Sequence, residues 1–441
     1  MRLGNKIHLL TICCVLPLIA ICAAALADSF AGAPVKSSVL PNGLKVIVLE
    51  DHSIDLVAID IWVKAGNVCE TESNRGAAHF IEHLLFRGSA RRAPGQADRE
   101  IENLGASLDA ATTKDTVRIS SIVASKYFDI ALDAMVDTTM RAKLDPEEIR
   151  RERAVILDEI ARRDSDPLQA LAVAVERAFY LKHPYSFPIQ GEAANVTSMT
   201  PETIREFYRS YFAPNNMAVV IVGDISSAKA VEAVTAAFRE FEKKEMPAPQ
   251  VPALAPLTAV KKEKIARDTR VEFCAVSFPA PGVQEMADVY PMDLLLQYLV
   301  ASYNSWMQTE LKDSKSLVQV SGGEFTTRRY AGTLMLMFSA SPGDIETVRQ
   351  NLFAKLKRMK ESPLTEAEVS GAKRSLEGGF AFESEVFSGR SRYLGFYESL
   401  GDYKLALSYI ENIRKVTPDE IIQVARKYIN TDACVIIEVG P

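Results

Sequence analysis

Met199-Thr-Pro-Glu-Thr-Ile-Arg-Glu-Phe-Tyr-Arg-Ser-Tyr211 runs on into Ala218-Val-Val-Ile-Val-Gly223. Near the end of the chain, Val416-Thr-Pro-Asp-Glu-Ile-Ile-Gln-Val-Ala-Arg-Lys-Tyr428 runs into Val435-Ile-Ile-Glu-Val-Gly440. Thr200 and Thr417, Ile204 and Ile421, Tyr211 and Tyr428, and Gly223 and Gly440 all share a single offset, close to half the chain. A second pair, Leu144-Asp-Pro-Glu-Glu-Ile149 and Leu364-Thr-Glu-Ala-Glu-Val369, repeats at nearly the same offset. So long a period marks a duplicated domain, because a solenoid repeats every few tens of residues. Each copy reads as a capped helix, with Thr at the cap and Pro at the first helical position, followed by a β-branched strand. Between the copies, Met246-Pro-Ala-Pro-Gln-Val-Pro-Ala-Leu-Ala-Pro256 is a Pro-rich, semi-rigid strap. The reading is an N-terminal domain over 28–240, a linker over 241–262 and a homologous C-terminal domain over 263–441.

Working outward, Gly43–Leu49 and Leu56–Val63 are β-branched runs separated by a polar turn, whereas Phe128–Thr139 and Pro146–Arg163 carry apolar residues at helical spacing. Strands and helices do not alternate strictly. The expectation is therefore an α+β fold, each domain a largely antiparallel sheet packed with helices. The 441 residues are 48% hydrophobic and 24% charged, which excludes low-complexity disorder and leaves ample material for two cores. Fifty-one Lys and Arg face 57 Asp and Glu, a net charge of -6, so nothing recommends a nucleic-acid partner.

Residues 1–27 stand apart. Arg2 and Lys6 precede an apolar run from Leu9 to Ala25, and Ala25-Leu26-Ala27 is a small-x-small cleavage signature. That is a secretory signal, which predicts an exported chain, periplasmic or secreted; an uncleaved signal anchoring it to the inner membrane is the alternative. Ile21 before Cys22 argues against a lipoprotein. Cys13, Cys14 and Cys22 lie inside this segment, leaving Cys69, Cys274 and Cys434. An odd, widely spaced set implies no disulfide framework, only three small buried side chains.

The chemistry sits in Arg75-Gly-Ala-Ala-His79-Phe-Ile-Glu82-His83-Leu-Leu-Phe-Arg87-Gly. On a helix His79 and His83 project from one face, so both imidazoles can grip one zinc ion, with Glu82 beside them. Two His and one carboxylate, with a fourth position left for water, make a hydrolytic zinc site. The third ligand should be a distant acid. The helix beginning at Asp145-Pro146 has an inward stripe of Ile149, Glu152, Ile156, Glu159 and Ile160. Carboxylates on a buried stripe need a positive partner, and zinc would supply one for Glu159. Glu152, two turns earlier, would then orient a ligand or water. Arg150 and Arg153 point to other faces of that helix.

These motifs resemble the inverted-motif zinc metallopeptidases of the pitrilysin/insulinase family, and the resemblance extends from Leu40-Pro-Asn-Gly-Leu44 to the closing Gly395–Gly440 region. In that family the third ligand lies as far beyond the second His as Glu159 lies beyond His83. The resemblance implies one Zn2+ per chain, paired α+β domains forming half of a clamshell over a peptide, and endopeptidase chemistry with Glu82 as general base. The length is similar to the half-size branch, which includes the mitochondrial processing peptidase subunits and bacterial relatives that act as dimers. Gly105-Ala-Ser-Leu-Asp109-Ala110-Ala-Thr112 resembles the family's substrate-binding edge strand, implying peptide contacts at Asp109 and Ala110, although Asp109 stands where Asn is usual.

One departure bears on the partner. The family needs an Arg and a Tyr, seven apart in the C-terminal domain, to hold the substrate carbonyl. Lys312 and Gln319 occupy those places here, and an upstream Gly-Gly reads Ala301-Ser302-Tyr303. Lys cannot copy a guanidinium fork, nor an amide a phenol. Arg390 and Tyr397 have the spacing but the wrong context, and are expected on a helix surface. The resemblance therefore implies a heterodimer with a homologous zinc-less subunit that carries the Arg/Tyr pair. A self-sufficient homodimer and a catalytically weak scaffold or substrate-presenting subunit are the alternatives. His183 reads as a structural histidine, His52 as a surface turn residue, and Gly322-Gly323 as a turn.

Overall fold

The computed structural model describes residues 34–441; the signal or anchor expected over residues 1–27 lies outside them. The N-terminal half contributes β1 (Lys36–Val39), β2 (Lys45–Glu50), β3 (Leu56–Val63), β4 (Leu108–Thr112), β5 (Val117–Ala124) and β6 (Met217–Gly223). They form one sheet in the order β1-β2-β6-β3-β5-β4, in which only β2 and β6 run parallel. The C-terminal half contributes β7 (Lys261–Ala266), β8 (Glu272–Ala280), β9 (Val320–Phe325), β10 (Gly332–Ala340) and β11 (Val435–Gly440), ordered β7-β11-β8-β10-β9. Again one pair, β7 and β11, is parallel. Apart from β1 the two sheets have the same topology, as the repeated sequence requires. β7 begins at Lys261, so the last two residues of the expected strap belong to a strand.

Burial patterns explain the strand sequences. Every residue of β6 is buried, which suits a central strand covered on both faces, whereas β5 alternates buried and half-buried residues as a strand covered on one face does. What covers the second face is an exchange of helices. Helix Pro167–Tyr180 of the N-terminal half packs on β8 and β11, and helix Phe387–Leu400 of the C-terminal half packs on β3 and β6. The two helices stand at the same offset as the Leu144 and Leu364 segments, so the exchange is itself part of the repeat. Arg390 and Tyr397 therefore do not lie on a helix surface: Tyr397 is buried, its ring 6.1 Å from that of Tyr409, and Arg390 Nη1 lies 2.6 Å from Asp51 Oδ2. Gly322 and Gly323 are not a turn either. They lie within β9, where a Cβ on Gly323 would stand 2.5 Å from Val300 Cγ2. Strand and turn compete for a Gly pair, and close packing against the helix behind it decided for the strand. Cys69, Cys274 and Cys434 are free and buried.

His183 lies at the seam between the halves, 2% exposed, among the rings of Tyr180, Tyr185 and Tyr330. Its Nδ1 accepts from Tyr185 N at 3.0 Å and caps the short helix Pro184–Ser186. Burial, with help from Arg328 and Lys114, pushes it down to about 4. The unfolded chain takes up this proton near pH 6.5 and the folded chain only near 4, so stability is lost as pH falls between those values. The loss amounts to roughly 3 kcal/mol. His183→Asn keeps a capping acceptor but cannot titrate. Its urea midpoint should fall less than the wild type's between pH 7.5 and 4.5, and equal falls would contradict the assignment. His52 is a surface turn residue, with Nδ1 2.6 Å from Asp224 Oδ1.

Candidate metal centre

Helix Ala77–Leu85 carries both imidazoles. It begins at Gly76, whose left-handed conformation (φ 91°) suits glycine, and a Cβ there would meet Gln190 O at 2.7 Å. The orphan amides of its first turn find a buried acid: Glu70 accepts from Gly76 N at 2.9 Å and Ala78 N at 3.0 Å, and from Asn67 Nδ2 at 3.0 Å. Burial pushes the Glu70 carboxyl up to about 7 despite those three donors. Glu70 thus fixes the end of the helix from which the histidines project. Sequence reasoning missed it, because a side chain that acts through main-chain amides leaves no motif of its own.

Helix Pro146–Ser165 starts as its sequence predicts, with Asp145 capping Glu147 N and Pro146 at the first position. It crosses the first helix so that Glu159 and Glu152 meet the two histidines. Glu159 Oε2 lies 3.1 Å from His79 Nε2 and 3.6 Å from His83 Nε2. Among the described residues, these three offer ligand atoms all within 4.8 Å of one another. Metal bonds of roughly 2.0–2.1 Å at tetrahedral angles give donor separations of about 3.3 Å, so the donor set fits a zinc ion. Glu152 takes the far side of the second ring, its Oε2 3.0 Å from His83 Nδ1, and its Oε1 is 2.6 Å from Arg87 Nε. That contact orients the imidazole and leaves Nε2 facing Glu159.

Glu82 is held apart from the ligands. Its Oε2 accepts from Thr112 Oγ1 at 2.5 Å and lies 3.4 Å from His79 Nδ1. Burial alone would raise its carboxyl, but the bonds to His79 and Thr112 outweigh it and hold Glu82 below the usual carboxylate range. The same contest raises His79, where burial acts downward and the carboxylates of Glu82 and Glu159 prevail. Three carboxylates around two imidazoles and Arg87 leave an excess of negative charge for a divalent cation to balance.

Thr112 ends β4, the outermost strand of its sheet, so the bond to Glu82 ties a sheet edge to the metal helix. Asp109 and Ala110 lie on this strand, with Asp109 exposed and accepting from Ser107 Oγ at 2.7 Å. β4 pairs only with β5 among the described strands, and its other edge is open for a further extended segment. In the other half, Lys312 is half-buried and Gln319 exposed just before β9.

Comparison with known proteins agrees with this architecture. Residues 45–192 match the model of the insulinase family, peptidase family M16, and residues 198–376 match that of the peptidase M16 inactive domain. A protein of Mycobacterium tuberculosis named as an uncharacterized zinc protease is 26% identical over 407 residues, covering 92% of this chain and 93% of that one. The crystal structure of a protease from Helicobacter pylori superposes with a TM-score of 0.88 at 22% identity, over 93% of this chain and all of that one. The periplasmic protease PqqL from Escherichia coli superposes at 0.76 and 17% identity, over 92% of this chain but only 47% of that one. A two-domain α+β protein with a His, His, Glu cluster and homologues named zinc proteases is thereby defined. The chain belongs to the insulinase family of peptidases, M16.

Proposed function

We propose that the chain is the zinc-bearing subunit of an endopeptidase that cleaves peptides or small unfolded proteins. The observation that carries this is the convergence of His79, His83 and Glu159 beside Glu82, next to an open sheet edge. His79, His83 and Glu159 would hold the zinc ion, which would supply Lewis acidity for hydrolysis of a peptide bond. Glu82, kept ionised by Thr112 and His79, is the base that takes the water's proton and delivers it to the leaving amine. Glu152 and Arg87 hold His83 in the orientation that binding requires. β4 aligns the peptide through backbone hydrogen bonds, with Asp109 and Ala110 in contact with it.

The second half of the machinery comes from a partner. Lys312 and Gln319 lack the planar fork and the phenol that would hold the substrate carbonyl, so a homologous zinc-less subunit supplies the Arg and Tyr. The match to under half of PqqL leaves room in that longer chain for a second such unit, in keeping with a two-part enclosure. Export by residues 1–27, to the periplasm or beyond, completes the reading.

The experiment is zinc content and peptide cleavage, with and without the partner. One zinc per chain is expected, with weak cleavage alone and strong cleavage in the pair. The double substitution Lys312→Arg, Gln319→Tyr should raise the activity of the isolated chain by about tenfold or more, since donors aimed at developing charge are worth roughly 10²–10³ in kcat. A zinc-loaded chain inactive in every combination would favour the scaffold, and full activity alone would favour a homodimer.

A further inference from the structure

A second concave site lies in the C-terminal half, away from the metal ligands. A cavity of about 350 Å³ opens between helices Met286–Leu296, Glu366–Ser384, Phe387–Leu400 and Lys404–Lys415, and its walls include Asp293, Gly379, Tyr393, Tyr397 and Tyr409. The rings form a connected aromatic wall: Tyr397 and Tyr409 have centroids 6.1 Å apart, and Phe380 stacks on Tyr409 at 5.8 Å and lies 4.6 Å from Tyr393. Asp293 sits among them, its Oδ2 accepting from Tyr409 Oη at 2.6 Å. No Lys or Arg pairs with it among the described residues, and burial, only partly offset by Tyr409, pushes its carboxyl up to about 7. Arg392, on one of the wall's own helices, is paired with Glu383 at 2.8 Å.

The floor of the cavity carries a second, independent signal. Gly378 and Gly379 stand in the middle of a 19-residue helix, and a Cβ at either would meet nothing within 4 Å. Neither packing nor a positive φ requires glycine there, and glycine in a helix interior is destabilising relative to Ala. What glycine at 379 does preserve is open space in the cavity that Asp293 also lines.

An unpaired acid in an aromatic enclosure is the environment that favours an organic cation, through charge and through the negative faces of the rings. We propose that this cavity binds an alkylammonium or guanidinium group. The wall residues Thr326, Thr327 and Phe396 also line the neighbouring cavity, which reaches Thr113 directly after the Thr112 that holds Glu82. A basic side chain of a bound peptide and a free amine are the two sources of such a group. Assigning it to the peptide rests on the endopeptidase reading, while the cation site itself does not.

The test is calorimetric titration of the full chain carrying Glu82→Gln, so that no cleavage intervenes. n-Butylguanidinium should bind saturably, and its uncharged counterpart n-butylurea at least tenfold more weakly. Asp293→Asn and Gly379→Leu should each weaken the cation at least tenfold, with circular dichroism and the thermal midpoint reporting that both variants fold. Gly379→Leu adds bulk at a position where a Cβ meets nothing within 4 Å and removes no charge, so it tests the cavity even if Asp293→Asn unfolds. Equal binding of cation and urea, or a Gly379→Leu chain that binds as the parent does, would overturn the proposal. A peptide with one Arg binding more tightly than its citrulline version assigns the site to substrate; equal peptide binding beside cavity-dependent butylguanidinium assigns it to a free amine. Because binding is read directly, a chain without peptidase activity can still pass, and an active one can fail.

Discussion

Glu82→Gln is expected to lower kcat for peptide cleavage by about 10³-fold while zinc content stays at one per chain. The size follows from what the side chain does: a positioned acid–base contributes roughly 10²–10⁴ in rate. Retention of zinc follows from where it sits. The three candidate ligands are His79, His83 and Glu159, and Glu82 contacts the group only through His79 Nδ1 and Thr112. Gln keeps the length and can still accept from Thr112 Oγ1, so the helix and the edge strand stay joined. The contrast is Glu159→Gln, which removes the one anionic donor and should lose zinc and activity together. Metal analysis and steady-state kinetics on both variants decide the matter. Retained cleavage in Glu82→Gln would remove the proposed base, and full zinc affinity in Glu159→Gln would remove the proposed ligand.

Gly395→Val should have the largest effect on stability. A Cβ at Gly395 would fall far inside van der Waals contact with Trp62 Nε1 and with two carbons of the same ring. Trp62 is 4% exposed and lies in β3, so neither the ring nor the sheet behind it can move aside cheaply. Overpacking of this kind costs about 1–3 kcal/mol, and a branched side chain driven into a rigid indole lies at or above the upper end. The affected contact is one of the two exchanged helices, and Ser391 on the same helix donates to the buried Asp60 Oδ2 at 3.1 Å. The urea midpoint should therefore fall steeply, with the two halves loosened together. Gly371→Ala is the control: its Cβ meets nothing within 4 Å, and the substitution should raise stability by about 0.5–1 kcal/mol. Similar midpoints for the two variants would show that the helix is not wedged as described.

Much of the site was legible because its chemistry is local. Four-residue spacing puts His79 and His83 on one helix face in any context, and the cap-and-Pro start at Asp145-Pro146 sets the phase of the stripe that carries Glu152 and Glu159. What was not legible depends on contacts that have no period. Glu70 acts through the amides of Gly76 and Ala78, Thr112 through one hydroxyl, and Asp293 through a bond from Tyr409 on a distant helix. Arg390 and Tyr397 looked like a surface pair because they have the spacing but not the sequence context of the family's Arg and Tyr. Their helix packs on a sheet from the other half and buries Tyr397 beside Tyr409, which no window of sequence around it could reveal.

By itself the chain's order of residues determined the duplication, the α+β class and the facing pair of imidazoles, since repeats and periodicities depend only on neighbours along the backbone. Tertiary structure alone decided that each half would lend a helix to the other, and that the buried carboxylate of Glu70 would meet the amides of Gly76 and Ala78. The physical reason is the same for both. A sheet face left uncovered and a carboxylate left without a partner are each satisfied by whatever surface complements them, and that surface is chosen in space, not in sequence.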